Sequence, residues 1–200
     1  MNVVDISSWQ EWGEDRWQRL KDSGTEGVII KIGEWDKLDD WFVTHVNNAV
    51  AFGLKYGVYY YGHASSRAEA VKEADTVAAW LKEYLRGETP ELGIWYDAED
   101  DMLLNGRDSV TDICMAFLNR LTDYGHQYEG IYSSWNWLSK EGAHHIDVDA
   151  TPGYVPIWVA QYNRRCDLLD EYADRVRIWQ YTDSFEGDSL DGDEYYTEEG

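Results

Sequence analysis

Short runs of β-branched and aromatic residues alternate with longer stretches of helical periodicity along most of this 200-residue chain. Residues 3–6 read as a first strand, followed by a helix over about 15–22, and residues 28–32 (Val-Ile-Ile-Lys-Ile) as a second strand. The spacing predicts a helix over 40–52, with Phe42, Val46, Ala49 and Val50 on one side and Gly53 at its C-terminal end. Residues 56–61 form a third strand, and 67–85 a long helix with Ala70, Ala74, Val77 and Leu81 inward. A fourth strand spans 92–96. Ser109 then caps a helix over 109–121, and Asp112 three residues on comes close to a capping box. Residues 130–132 are a fifth strand. Beyond them the rhythm changes: 155–160, 176–180 and a segment near Asp191 read as strands with little regular helix between.

Strand–helix alternation of this kind predicts a parallel sheet with right-handed crossovers. Eight strands with five helices imply an α/β barrel that is incomplete on its helical outside. No Pro- or Ser-rich linker divides the chain and no repeat is apparent, so residues 1–200 are expected to form a single domain.

Composition narrows the function. With 44% hydrophobic residues a chain of this length can bury a core, and no apolar run approaches the roughly 20 residues of a membrane span. The N-terminus shows no basic region leading into an apolar stretch, so no secretory signal is visible. That leaves a cytoplasmic protein released by another route, or one whose signal has been removed. Cys114 and Cys166 lack the spacing of a zinc or disulfide framework and read as ordinary thiols. Against 39 acidic side chains stand 17 basic ones, a net charge of −22, which argues against nucleic acid and against adhesion to an anionic membrane or wall. The 11 Trp and 15 Tyr against 4 Phe are rings with a polar handle, suited to the part-apolar, part-wet surface of a sugar.

In a parallel barrel the chemistry collects at the C-terminal ends of the strands. There the chain places Asp5, Tyr59, Tyr61, Asp97 with Glu99, Tyr132, Trp158 with Gln161, Trp179 with Gln180, and Asp191. Asp97 and Glu99 are the sharpest pair. Residues two apart in a strand share a face, and two carboxyls in one barrel interior repel, so one holds its proton to higher pH. Glycosidic cleavage uses such a pair, one acid for the leaving oxygen and one carboxylate for the developing cation. Two metal readings fail. His144-His145-Ile146-Asp147-Val148-Asp149 has no ligand spacing and reads as a loop. The acidic stretch 183–199 fits no EF-hand register and reads as solvated surface, Asp191 excepted.

Seven blocks in order resemble glycoside hydrolase family 25, the Chalaropsis-type lysozymes of bacteria, fungi and phages. They are Asp5-Ile6-Ser7-Ser8-Trp9-Gln10, residues 28–32, Gly57-Val58-Tyr59-Tyr60-Tyr61, Trp95-Tyr96-Asp97-Ala98-Glu99, Gly130-Ile131-Tyr132-Ser133, Pro156-Ile157-Trp158-Val159-Ala160-Gln161-Tyr162 and Trp179-Gln180-Tyr181. Together they span almost the whole chain.

The resemblance implies a modified TIM-like (β/α)5β3 barrel. Its substrate would be bacterial peptidoglycan, cut at the β-1,4 bond between N-acetylmuramic acid and N-acetylglucosamine without metal or other cofactor. By the same resemblance Glu99 is general acid, then base, and Asp97 stabilises the substrate's acetamido group or the oxocarbenium centre. Asp5 and Asp191 complete the acidic set, with Asp193 a rival for Asp191 because the family more often shows Asp-x-Asn there. Tyr59, Tyr61, Tyr132, Trp158 and Trp179 would line the groove, with Gln161 and Gln180 bonding sugar. The chain departs from the family at Tyr60 and Tyr61, where His then Phe is common, and in the compact segment 33–37. A monomer acting on the cell wall is expected, extracellular or released from a host cytoplasm, and its 200 residues would be the catalytic domain of a longer endolysin or autolysin. Two rivals stay open: a non-catalytic wall-binding barrel, and a chitinase-like glycosidase, whose further Asp two residues upstream is here Trp95.

Overall fold

Eight strands close on themselves in the computed structural model, which describes residues 1–127 and 129–196. Strand β1 (Asn2–Ile6) leads through helix α1 (Glu14–Asp22) to β2 (Gly27–Glu34). A two-residue strand, β3 (Lys37–Leu38), folds back on β2 as a hairpin before α2 (Phe42–Phe52). Then come β4 (Lys55–Tyr61), α3 (Arg67–Tyr84), β5 (Ile94–Asp97), α4 (Val110–Asp123) and β6 (Glu129–Ser134). After β6 the helices shrink to single turns, α5 (Trp135–Leu138) before β7 (Ile157–Ala160) and α6 (Leu169–Tyr172) before β8 (Val176–Thr182). The chain closes with β9 (Asp191–Tyr195). Neighbours run in the order β1-β2-β4-β5-β6-β7-β8-β9, and β9 returns to β1. Every pairing around this ring is parallel except the two made by β9. The expected (β/α)5β3 barrel is therefore the observed one, with its fifth helix reduced to one turn.

Local chemistry accounts for the helices. Ser109 Oγ accepts the backbone N–H of Asp112 at 3.1 Å, the cap expected for α4. Helix α2 ends where Gly53 turns left-handed at φ 69°, which costs glycine nothing. Its buried face is Phe42, His45, Val46 and Ala49. Val50, expected among them, is 63% exposed. At 3.6 residues per turn it lies about 80° around the helix from Phe42, and His45 takes the inward place. The β3 hairpin was not anticipated; two residues are too few for any periodicity to show.

Two apolar layers result. Outward-facing Val4, Ile6, Val28, Ile30, Val58, Tyr96 and Ile131 meet the helices, with Trp17, Phe42, Val77 and Phe117 among their partners. The barrel interior is a separate cluster of Val3, Ile29, Leu92, Trp95, Tyr132, Trp158 and Ile178. Two indoles, Trp95 and Trp158, meet edge-to-face there at 5.8 Å. They fit because Gly130, opposite Trp95 across β5 and β6, has no side chain. A Cβ at Gly130 would stand 2.3 Å from the Trp95 ring and 2.8 Å from the Pro156 carbonyl oxygen.

Gly130→Ala is accordingly expected to destabilise the protein by about 2 kcal/mol, roughly 4–8 °C in thermal midpoint. Scanning calorimetry checks it, and an unchanged midpoint would show that the interior relaxes around the methyl group.

Candidate active site

Period-two alternation in a closed barrel sends every second side chain inward, and at the C-terminal ends of β1, β2, β4, β5 and β8 those side chains are polar or aromatic. Strand β9 runs the other way, so its first residues arrive at the same end. The mouth holds a cavity of about 290 Å³ lined by Asp5, Ser7, Trp9, Lys31, Tyr59, Tyr61, Asp97, Glu99, Tyr132, Trp158, Tyr162, Gln180 and Asp191. Nine of the eleven residues expected at the site meet there.

Gln161 and Trp179 do not. Trp179 precedes inward-facing Gln180 and so points outward, where its indole N–H donates to the Gln161 carbonyl oxygen at 2.8 Å. The Gln161 amide donates to Asp167 Oδ2 and accepts the Asp167 N–H, both at 2.8 Å, which ties down the loop after β7.

Gln180 organises the opposite wall. Its Nε2 donates to Asp5 Oδ2 at 2.7 Å, while its Oε1 accepts the hydroxyls of Tyr132 and Tyr162, each at 3.0 Å. Asp5 lies directly across from Asp191 in the β1–β9 register. Burial first, then repulsion from Asp191, raises the Asp5 pKa to about 8. Burial raises Asp191 to about 6, with Asp183 adding to it.

Asp193 was expected on a solvated surface, apart from its rivalry with Asp191. It is instead wholly buried, and its Oδ1 accepts the Trp158 indole N–H at 2.8 Å. No donor reaches Oδ2, and burial together with Asp5 drives the Asp193 pKa far up. Asp193 is the more fully buried of the two carboxyls. Two charged carboxyls are unfavourable in so buried a setting, so Asp193 keeps its proton. The acidic stretch from 183 hid this residue; residues 197–199 of it lie outside the described part.

Asp97 ends β5, buried, with no hydrogen-bond partner for its Oδ1. Burial, then Glu99, then Asp5 raise its pKa well above the usual range, against a downward pull from Lys31. Glu99, two residues on, is reached by solvent at the mouth. Its pKa is also raised, by desolvation and by Asp191 and Asp100. Lys31 is the one cation among the described lining residues; it pairs with Glu34 at 3.1 Å and lies over the Tyr61 ring at 5.1 Å. Sequence reasoning passed over it, although a lysine at an inward position of an apolar strand is itself a signal, since burying an ammonium without a partner is costly.

The Asp5-Ile6-Ser7-Ser8-Trp9-Gln10 block folds as a turn. Ser7 N–H donates to Gln10 Oε1 at 2.9 Å, and Ser8 N–H donates to Asp39 Oδ2 at 3.0 Å. This leaves the Trp9 indole 88% exposed at the rim. Elsewhere, the His144–Asp149 segment is a loop in which Asp147 caps a short turn by accepting the Asp149 N–H at 3.1 Å. Among the described residues no cluster of three or more His, Cys, Asp or Glu is arranged to hold a metal ion.

Crowded carboxyls and aromatic rings at the open end of a parallel barrel define a saccharide-cleaving cleft. The sequence model of the family described as glycosyl hydrolases family 25 matches residues 4–189, and the chain belongs to that family. Among solved structures, the modular autolysin LytC from Streptococcus pneumoniae superposes with a TM-score of 0.80 at 22% identity, covering 98% of this chain. The chain spans only 46% of LytC. A muramidase from Trichobolus zukalii matches with a TM-score of 0.77 at 21% identity, covering 98% of this chain and 94% of its own. The catalytic domain of endolysin ply40, from bacteriophage P40 of Listeria monocytogenes, gives 0.78 at 19% identity, with coverages of 98% and 93%. A comparison with curated protein sequences gives no match.

The carboxyl cluster makes stability depend on pH. An unfolded Asp loses its proton near pH 4, whereas folded Asp5 keeps it to about 8 and Asp191 to about 6. Between those limits the folded state binds more protons than the unfolded, so raising the pH weakens the fold. The net charge of −22 acts in the same direction. Calorimetry is expected to give a lower midpoint at pH 8 than at pH 5, and Asp5→Asn to narrow the gap. A second comparison isolates Asp193. Asp193→Asn, which is neutral and can still accept from Trp158, should fold as the parent does, while Asp193→Ala should lose about 1–3 kcal/mol through the unmatched indole N–H. Equal losses in the two variants would refute a neutral acid at Asp193.

Proposed function

We propose that the chain cleaves the glycan of bacterial peptidoglycan as a retaining muramidase, with Glu99 as acid/base and Asp97 as partner of the substrate's acetamido group. The observation that supports this most is Asp97 Oδ1: a buried acceptor without a donor, beside a solvent-reached carboxyl of raised pKa. An acetamido N–H would supply that missing donor.

The same bond sets the protonation states. In the empty cleft Asp97 is the more deeply buried acid and holds its proton more firmly than Glu99. An N–H donated to Asp97 favours its ionised form, and the newly charged Asp97 then raises its neighbour. Substrate binding thus shifts the proton to Glu99, facing solvent and the glycosidic oxygen. Glu99 protonates that oxygen as the bond breaks. Asp97 holds the acetamido N–H while the carbonyl oxygen closes on the sugar's anomeric carbon. Glu99, now ionised, takes a proton from the water that reopens the ring. Lys31 steadies the anionic stage, and Gln180 fixes Asp5 in the wall beneath the developing cation.

Purified peptidoglycan, digested and then reduced with borohydride, tests the assignment. The native chain is expected to release fragments with new reducing ends on N-acetylmuramic acid, and Glu99→Gln to lower turnover about 10²–10⁴-fold. Native activity should fall as rising pH deprotonates Glu99. A native protein that binds wall yet releases nothing would transfer the assignment to a non-catalytic binder.

A further inference from the structure

A second cavity, about 440 Å³ and larger than the catalytic one, lies outside the barrel between the β2–β3 hairpin and α3. Trp35, Asp36, His63, Ala64, Glu69, Lys72, Glu73 and Thr76 surround it. Trp35 sits at the hairpin tip with φ 52°, a conformation that costs a bulky residue and is kept only where surrounding structure enforces it. Here the Tyr60 hydroxyl enforces it, donating to the Trp35 carbonyl oxygen at 2.6 Å. His63 also enforces it, its buried ring stacked on the indole at 4.0 Å and 9°. His63 is itself held between Glu34, at 3.6 Å, and Asp100, at 3.4 Å.

The outcome is an indole with one face covered by His63 and the whole residue still 51% exposed. Backbone strain of this kind clusters at ligand clamps, and here it fixes the indole with its other face open to water. Around it stand carboxylates, a lysine and a hydroxyl, groups that match the hydroxyl and amide edges of a sugar. The Tyr61 ring, which lines the catalytic cavity, meets the His63 ring at 4.9 Å, so the two cavities share this wall.

We propose that the Trp35 face is a saccharide-binding platform that grips an N-acetylated pyranose of the same glycan strand, beyond the units held at the carboxylates. The apolar face of the ring lies on the indole, and its hydroxyls turn to Asp36, Lys72 and Thr76. The proposal rests on the chain acting on a glycan of this type, as inferred above. It makes the enzyme favour long strands over short ones.

The test uses glycan strands stripped of their stem peptides and, in parallel, a single disaccharide unit. With long strands, Trp35→Ala is expected to raise the half-saturating concentration about tenfold without a matching loss of maximal rate, and Trp35→Phe to recover most of the loss. The disaccharide should not distinguish Trp35→Ala from the parent. Binding without turnover is read in Glu99→Gln protein, from the Trp35 indole N–H resonance, assigned by its loss in the double variant. Long strands should shift it and the disaccharide should not. A resonance unmoved by long strands, or equal half-saturation in parent and Trp35→Ala, overturns the platform. If the parent cleaves nothing but the resonance still moves, the muramidase reading fails and the platform stands.

Discussion

Repulsion between like charges is the constraint around which the mouth of this barrel is built. Asp5, Asp97, Glu99, Asp191 and Asp193 converge on one end of the barrel, and Lys31 is the cation lining the cavity with them. A single ammonium cannot cancel that charge. Protons do, held by burial on groups that would ionise in water, and a neutral amide orders the wall, since Gln180 ties Asp5 to two tyrosine hydroxyls. A cluster arranged in this way is poised rather than settled. Each proton is held against a near-equal alternative, which is the condition for moving one at modest cost when a ligand arrives.

The closing strand makes the cluster possible. With β9 parallel to its neighbours, its first residues would lie on the floor of the barrel. Running antiparallel, it delivers Asp191 opposite Asp5 and Asp193 opposite Gln180. The same reversal removes the crossover between β8 and β9, because an antiparallel neighbour needs only a short connection where a parallel one needs a crossover.

This explains what could be read from the sequence. Asp97 and Glu99 stood out because an apolar strand carried them to a polar end, and period-two spacing kept them on one face. Asp5 was legible for the same reason, as was the Ser109 cap. Trp179 and Gln180 were both assigned to the groove, yet adjacent residues of a strand face opposite ways, and only Gln180 could point in. Asp193 was obscured by the acidic residues around it, since burial there depends on a long-range pairing with β1 and β8 that local composition does not encode. Trp35 was unreadable for another reason. Its conformation is dictated by Tyr60 and His63, which are distant in sequence and brought alongside only when β4 pairs with β2.

The two ends of the described chain meet at the floor of the barrel. The Met1 amino group donates to the Tyr195 carbonyl oxygen at 3.1 Å, and Tyr195 N–H donates back to the Met1 carbonyl oxygen at 2.9 Å. A segment joined ahead of Met1 therefore leaves from the pole opposite the cleft. Tethering the molecule there, to a bead, a surface or a partner domain, would present its mouth outward. The barrel is in effect a tool with its handle and blade at opposite ends.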